Sequence, residues 1–243
     1  MSEMDLGDVK IHYEEAGQGP FAFIYCHGLG GNGDGFVPDL GYWAKQCGRA
    51  VTWDNRGLGR SSQAAKYNMP LYAADLARLM DGLGIQKAVV HGVSWGGVVV
   101  QQFALDFPGK CAAIILDSTS SEVNFASSNG WYGQGQDAKA GKPGTREVKP
   151  EHLDSFMASA RAVAGLREHP FTPRLGKIAC PALVLAGGKD VTAGVGGSVI
   201  LSRNLPKAKL HILENAGHGI IHQAPEEFKT LVMDFCREHG VIK

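Results

Sequence analysis

The chain has 243 residues, 44% of them apolar, and its 24 Lys plus Arg balance its 24 Asp plus Glu to a formal net charge of zero. This length and composition suit one large domain with a full core. The charge balance and the lack of a basic tract exclude a nucleic-acid or anionic-membrane surface, so neither is an expected partner.

The N-terminal stretch "MSEMDLGDVKIHYEE" is polar and acidic. It has neither the basic start nor the apolar core of a signal peptide. No apolar run is long enough to span a membrane. Cys26, Cys47, Cys111, Cys180 and Cys236 are scattered, odd in number and without a CxxC pair. They read as reduced, mostly buried thiols of a cytoplasmic protein.

In chain order, "VKIHYEE", "FAFIYCHG" and "RAVTWDNRG" read as strands. "MPLYAADLARLMDGLG" reads as a helix, with Tyr72, Leu76, Leu79, Met80 and Leu83 on one face, Pro70 in its first turn and Gly84 at its end. The strand "KAVVHGV" leads into the helix-compatible run "GGVVVQQFALDF", and "CAAIILDS" is a further strand. Residues 119–148 are rich in Gly, Ser and Asn and are expected to be irregular. "PEHLDSFMASARAVAGL" then reads as a helix with Leu153, Phe156, Met157, Ala160 and Val163 on one side. Without structure of its own, 119–175 would be a longer loop than compact domains carry. It is therefore read as a short lid inserted over a core of residues 1–118 and 176–243. The strands "CPALVLAGG" and "AKLHILENAG" follow, then a helix in "APEEFKTLVMDFCREHG" with Phe228, Leu231, Val232, Phe235 and Cys236 on one face. Strands alternating with helices imply an α/β fold with a mostly parallel sheet covered on both faces.

The most informative stretch is "VVHGVSWGGVVVQQF", a strand, a Gly-x-Ser-x-Gly turn and a helix. Such a turn presents the serine hydroxyl at the carboxyl edge of the sheet, and only small residues fit two positions to either side. Gly92 and Gly96 meet that demand around Ser94. A serine hydroxyl needs a base to take its proton and a carboxylate to hold the base. His218, in "ENAGHG" between the last strand and the last helix, is the candidate base. His91 lies within a strand and reads as packing, and His27 reads as a loop brace. His218 and His222 form HxxxH, but no Glu follows the first His and Gly219 is a poor helix start, so no metal is expected. Asp190, in a Gly-rich turn beyond "LVLAGG", is the favoured acid, with Asp117 in "IILDSTS" as the alternative. The backbone amides of Leu29, in "CHGLGGN", and of Trp95 are the candidate oxyanion donors.

These residues resemble the α/β-hydrolase superfamily over nearly the whole chain, through "HGLGG", "DNRGLGRS", "GVSWGG", "GGKD" and "AGHG". The resemblance implies a doubly wound sheet, a lid after the sixth strand, a Ser94–Asp190–His218 triad and no cofactor. It also makes Asp54 and Arg56 loop braces. "RAVAGLREHPFTPRLGKIACPALVLAGGKD" and "LDSTSSEVN" are similar to the branch of small bacterial esterases and 3-oxoadipate enol-lactonases, and "GVSWGGVVVQQFALDFP" resembles intracellular polyhydroxyalkanoate depolymerases. Two departures from the enol-lactonases stand out: a shorter lid, and "VTAG" after Asp190 without a proline.

The expected activity is hydrolysis of a small-molecule carboxylic ester or lactone through an acyl-enzyme. Depolymerase, carbon–carbon hydrolase and perhydrolase chemistry use the same triad, and a ligand-binding receptor could use the same fold. Trp131, Tyr132, Phe125 and Met157 are candidates to line the pocket, with lid core or surface as the alternative reading.

Overall fold

The computed structural model describes residues 2–143 and 147–242. Residues 144–146, part of the segment read as a lid, lie outside the described residues. Eight strands form one sheet: β1 (Ser2–Asp5), β2 (Lys10–Gly17), β3 (Phe21–Cys26), β4 (Arg49–Trp53), β5 (Lys87–Val93), β6 (Cys111–Asp117), β7 (Ala182–Gly187) and β8 (Ala208–Leu213). Their spatial order is β1-β2-β4-β3-β5-β6-β7-β8. β1 and β2 pair antiparallel, as do β2 and β4, and the remaining pairs are parallel. β1 falls in the stretch that looks merely polar. An edge strand needs only one apolar contact face, and Met4 supplies it by packing against the core beside Gly82.

The helices are α1 (Leu40–Cys47), α2 (Met69–Gly82), α3 (Trp95–Asp106), α4 (Phe125–Lys139), α5 (Leu153–Ala164), α6 (Gly194–Asn204), α7 (Ile220–Gln223) and α8 (Pro225–Glu238). Strand side chains alternate between faces, so the sheet builds two cores. Ala22, Ile24, Val90, Ile114 and Leu116 pack with Leu76 and Met80 of α2 and Val99 and Phe103 of α3. Phe23, Tyr25, Val89, Ile115 and Leu185 pack on the other face with Trp43 of α1 and Phe228, Val232 and Phe235 of α8. The two-sided burial explains why these strands are almost wholly apolar. The helix over α2 forms as its sequence predicts: Asn68 caps it by accepting from the Leu71 N–H at 3.0 Å, and Pro70 sits in the first turn.

The segment between β6 and β7 departs from expectation. Residues 125–139 form a helix despite Gly130, Gly133 and Gly135. Asn124 caps it through a 2.8 Å bond from the Ser127 N–H. Gly135 lets α5 approach, since a Cβ there would lie 3.4 Å from that of Ala160. Packing against α5 and a good cap outweigh the poor helix propensity of glycine.

Candidate active site

Ser94 joins β5 to α3 with φ 55° and ψ −121°, a backbone region that residues other than glycine seldom occupy. The neighbouring backbone is close enough to forbid side chains. A Cβ on Gly92 would meet the Gly96 carbonyl oxygen at 2.4 Å, and one on Gly96 would meet the Cys26 carbonyl oxygen at 2.3 Å. The Ser94 N–H donates to the Asp117 carbonyl at 2.8 Å, which pins the turn to β6. The Trp95 N–H opens α3 beside the serine, where the amides of a helix N-terminus favour negative charge.

Asp190 follows β7 in a tight turn, and its side chain is 1% exposed. Its Oδ2 lies 2.9 Å from Nδ1 of His218. Its Oδ1 accepts from the N–H groups of Thr192 and Ala193 at 2.8 and 3.0 Å. Burial opposes ionisation, but the hydrogen bonds from His218, Ala193 and Thr192 outweigh it and hold the carboxyl below its ordinary value. An ionised Asp190 accepts the Nδ1 proton, which leaves Nε2 of His218 to accept one. The imidazole is 31% exposed. Gln223 steadies its loop by donating to the His218 carbonyl at 2.9 Å and accepting from the Gly217 N–H at 2.7 Å.

Asp117 is fully buried and makes no hydrogen bond to the His218 ring. Its carboxylate accepts from the Ser118 hydroxyl at 2.8 Å and from the N–H groups of Ile220 and Ile221 at 3.2 and 3.3 Å. The Ser118 hydroxyl in turn accepts from the Gly219 N–H at 3.1 Å. Asp117 therefore grips the backbone just after His218. His91 lies 3.6 Å from it, stacked edge-on against Tyr25 and Phe228, with burial driving its pKa down against the pull of Asp117.

The loop after β3 is fixed from within. Nδ1 of His27 donates to the Gly28 carbonyl at 2.8 Å, and its Nε2 accepts from the Asn55 N–H at 3.1 Å. Asp54 accepts from the N–H groups of Gly33 and Arg60 at 2.7 and 2.8 Å. Arg56 forms a buried two-pronged pair with Asp75, and its carbonyl accepts from Ser155 of α5 at 2.8 Å. These are bracing roles. They carry Leu29 to the edge of the cavities that Ser94 lines.

Ser94 stands where two cavities meet, sharing Leu29, Trp131 and Thr192 between them. One, of about 370 Å³, is walled by Trp95, Val98, Val123, Val163 and Ile200, with Glu122 at its side. The other, of about 560 Å³, holds His218, Phe36, Gln134 and His222. Among the described residues no Lys or Arg lines either cavity, and Glu122 is the one carboxylate.

Trp131 lines both cavities, and Tyr132, Met157 and Phe125 line neither. Tyr132 is 51% exposed, because one helical residue further turns it by about 100° away from the site. Met157, at 6% exposure, faces Gly135 of α4 and borders a separate groove with Tyr67 and Lys139. Phe125 is exposed beneath the Arg167 guanidinium. The wall formed by Thr192, Ala193 and Ile200 was missed, because α6 begins with glycines and has no apolar period.

Among the described residues no cluster of His, Cys, Asp or Glu is arranged to hold a metal, and no helix is long and apolar enough to cross a membrane. Cys26, Cys47, Cys111 and Cys236 are buried free thiols. Burial pushes those of Cys26, Cys47 and Cys236 up to about 12, so they are not thiolate nucleophiles at neutral pH.

A two-sided, mostly parallel sheet, a strained serine at a strand-to-helix turn and a paired Asp and His on later loops define a hydrolase architecture. The family model of the alpha/beta hydrolase fold matches residues 22–155, more than half of the chain, and the protein belongs to that family. The chain is 28% identical to 2-hydroxy-6-oxo-6-phenylhexa-2,4-dienoate hydrolase of Comamonas testosteroni, covering 98% of this chain and 95% of that one. It is 26% identical to 3-oxoadipate enol-lactonase 2 of Acinetobacter baylyi, over 93% and 92%. Among solved structures it is similar to an alpha/beta hydrolase enzyme from a Medee basin deep-sea metagenome library, with a TM-score of 0.86, 18% identity and 96% of each chain covered. That last likeness concerns the fold.

Proposed function

We propose that the protein is a serine hydrolase that cleaves uncharged carboxylic esters or lactones through an acyl-enzyme on Ser94. The observation that carries this reading is the 2.9 Å contact between Asp190 and His218 at the cavity onto which Ser94 opens. Nε2 of His218 takes the Ser94 proton as Oγ attacks the carbonyl carbon. The oxygen that becomes negative is received by the N–H groups of Trp95 and Leu29. His218, now an imidazolium facing Asp190, returns the proton to the departing alkoxide. Water, deprotonated by the same nitrogen, then releases the acid and restores Ser94. The two cavities on either side of Ser94 give separate room for the acyl and alcohol parts. Residues 119–175 serve as the lid, with Trp131 lining both cavities.

Charge favours neutral substrates. The dienoate and adipate substrates named for the relatives each keep a carboxylate. A guanidinium or ammonium is the strongest partner for one, and the described lining offers Glu122 instead. The same argument favours ester cleavage over carbon–carbon cleavage of such acids. The test is a series of aryl esters and lactones, each paired with a carboxylate-bearing analogue, together with mass spectrometry after phosphonate treatment. Turnover of the neutral members at least tenfold faster in kcat/KM, with phosphonate on Ser94, is expected. Label on another residue, or binding without turnover as in a receptor, would overturn the reading.

A further inference from the structure

A third cavity, of about 460 Å³, lies on the other side of α5 from Ser94. Met69, Leu166 and Phe171 give it an apolar floor, and Arg161, His169 and Arg174 stand at its rim. Among the described residues no acidic one lines it. Arg49, Arg56, Arg60, Arg78 and Arg167 each meet a carboxylate. Neither Arg161 nor Arg174 does among the described residues. Arg174 instead lies over the Phe171 ring at 4.8 Å, held at the mouth by a cation–π contact. Asp154 borders an adjoining groove with Arg161 without forming an ion pair. The Gln102 amide in the wall is already bound to Asp106 at 2.7 Å.

We propose that this cleft is a binding site for a small monocarboxylate with an aliphatic or aromatic body. Two guanidinium groups without carboxylate partners supply forked donors that match a carboxylate, and a planar guanidinium gives up less hydration than an ammonium in doing so. The apolar floor accepts the body of the ligand, and the volume falls within the range of small-molecule sites. The site is separate from the serine chemistry: α5 presents Val163 to the Ser94 cavity and Ala158, Arg161 and Ala162 to the cleft. The proposal stands on these contacts whether or not Ser94 is a nucleophile.

Calorimetric titration of the full chain with octanoate tests it, with octanol as the uncharged counterpart. One saturable octanoate site is expected, at least tenfold tighter than octanol and weakened by salt. Arg161→Ala with Arg174→Ala should weaken it at least tenfold. Both side chains are exposed, so this variant should fold, which thermal melting checks. Ile200→Trp, which fills the Ser94 cavity, should leave octanoate affinity within twofold. Absence of saturable binding, equal affinity for octanol, indifference to loss of the two arginines, or loss of binding in Ile200→Trp would each overturn the proposal.

Discussion

The ends of β6 and β7 are neighbouring strands that each deliver an aspartate to the same histidine loop, and the two carboxylates do different work. Asp190 reaches the imidazole itself, whereas Asp117 holds the backbone that follows it. Register makes the difference. Asp117 is the last residue of β6 and stays within the sheet, under the loop, while Asp190 lies three residues past β7, where the turn lifts it level with the ring. Two acids of one type at one sheet edge are thus separated into ring orientation and loop positioning by their distance from the strand end.

Ser94→Ala sets the scale for that comparison and should have the largest effect. Loss of a triad nucleophile costs on the order of 10⁶ in kcat, and ester hydrolysis by the purified variant measures it. Activity near that of the parent would mean that neither aspartate belongs to a serine mechanism.

Asp190→Asn should come next, with a fall in kcat of about 10⁴, because an amide stabilises the wrong imidazole tautomer and no longer faces the imidazolium with a charge. Asp117→Asn should cost about tenfold in kcat and about 1–3 kcal/mol in stability, the value of charge-assisted hydrogen bonds to the loop. Steady-state kinetics and denaturant melts on both variants rank them. The opposite ranking in folded protein would assign the ring-orienting role to Asp117.

Acid sharpens the contrast. The folded-state pKa of Asp190 is lowered, so its contribution to stability is present above the ordinary carboxylate value of 3.8 and is lost as pH falls through the lower folded value. The stability gap between the parent and Asp190→Asn should therefore be constant above that value and close below it. A gap that widens in acid would contradict the assigned shift.

The smallest effects separate two adjacent residues of α4. Trp131→Ala should change kcat/KM for bulky esters by about tenfold, the scale of a lost apolar pocket contact. Tyr132→Ala should leave both kinetics and stability nearly unchanged, within about 0.5 kcal/mol, as expected of an exposed position. A larger effect at Tyr132 would place it over the site.

Local chemistry alone determined much of this protein. The apolar strand runs, the cap and period of α2, and the glycines two positions either side of Ser94 are demands that neighbours along the chain impose, so they can be read in order. The sequence puts Ser94, Asp117, Asp190 and His218 at or beyond the ends of strand runs, but it ranks Asp190 over Asp117 only through the resemblance and the chain order. Tertiary structure decided the rest. β1 exists because β2 offers it an edge, and α4 because α5 packs against it at Gly135. Glycine-led α6 supplies a cavity wall that no periodicity announces. Tyr132 and Met157 look like pocket residues by type, yet the rotation of their helices turns one to solvent and the other into a helix contact. Which face a residue presents depends on what packs against its element, and for these segments that partner is far away in sequence.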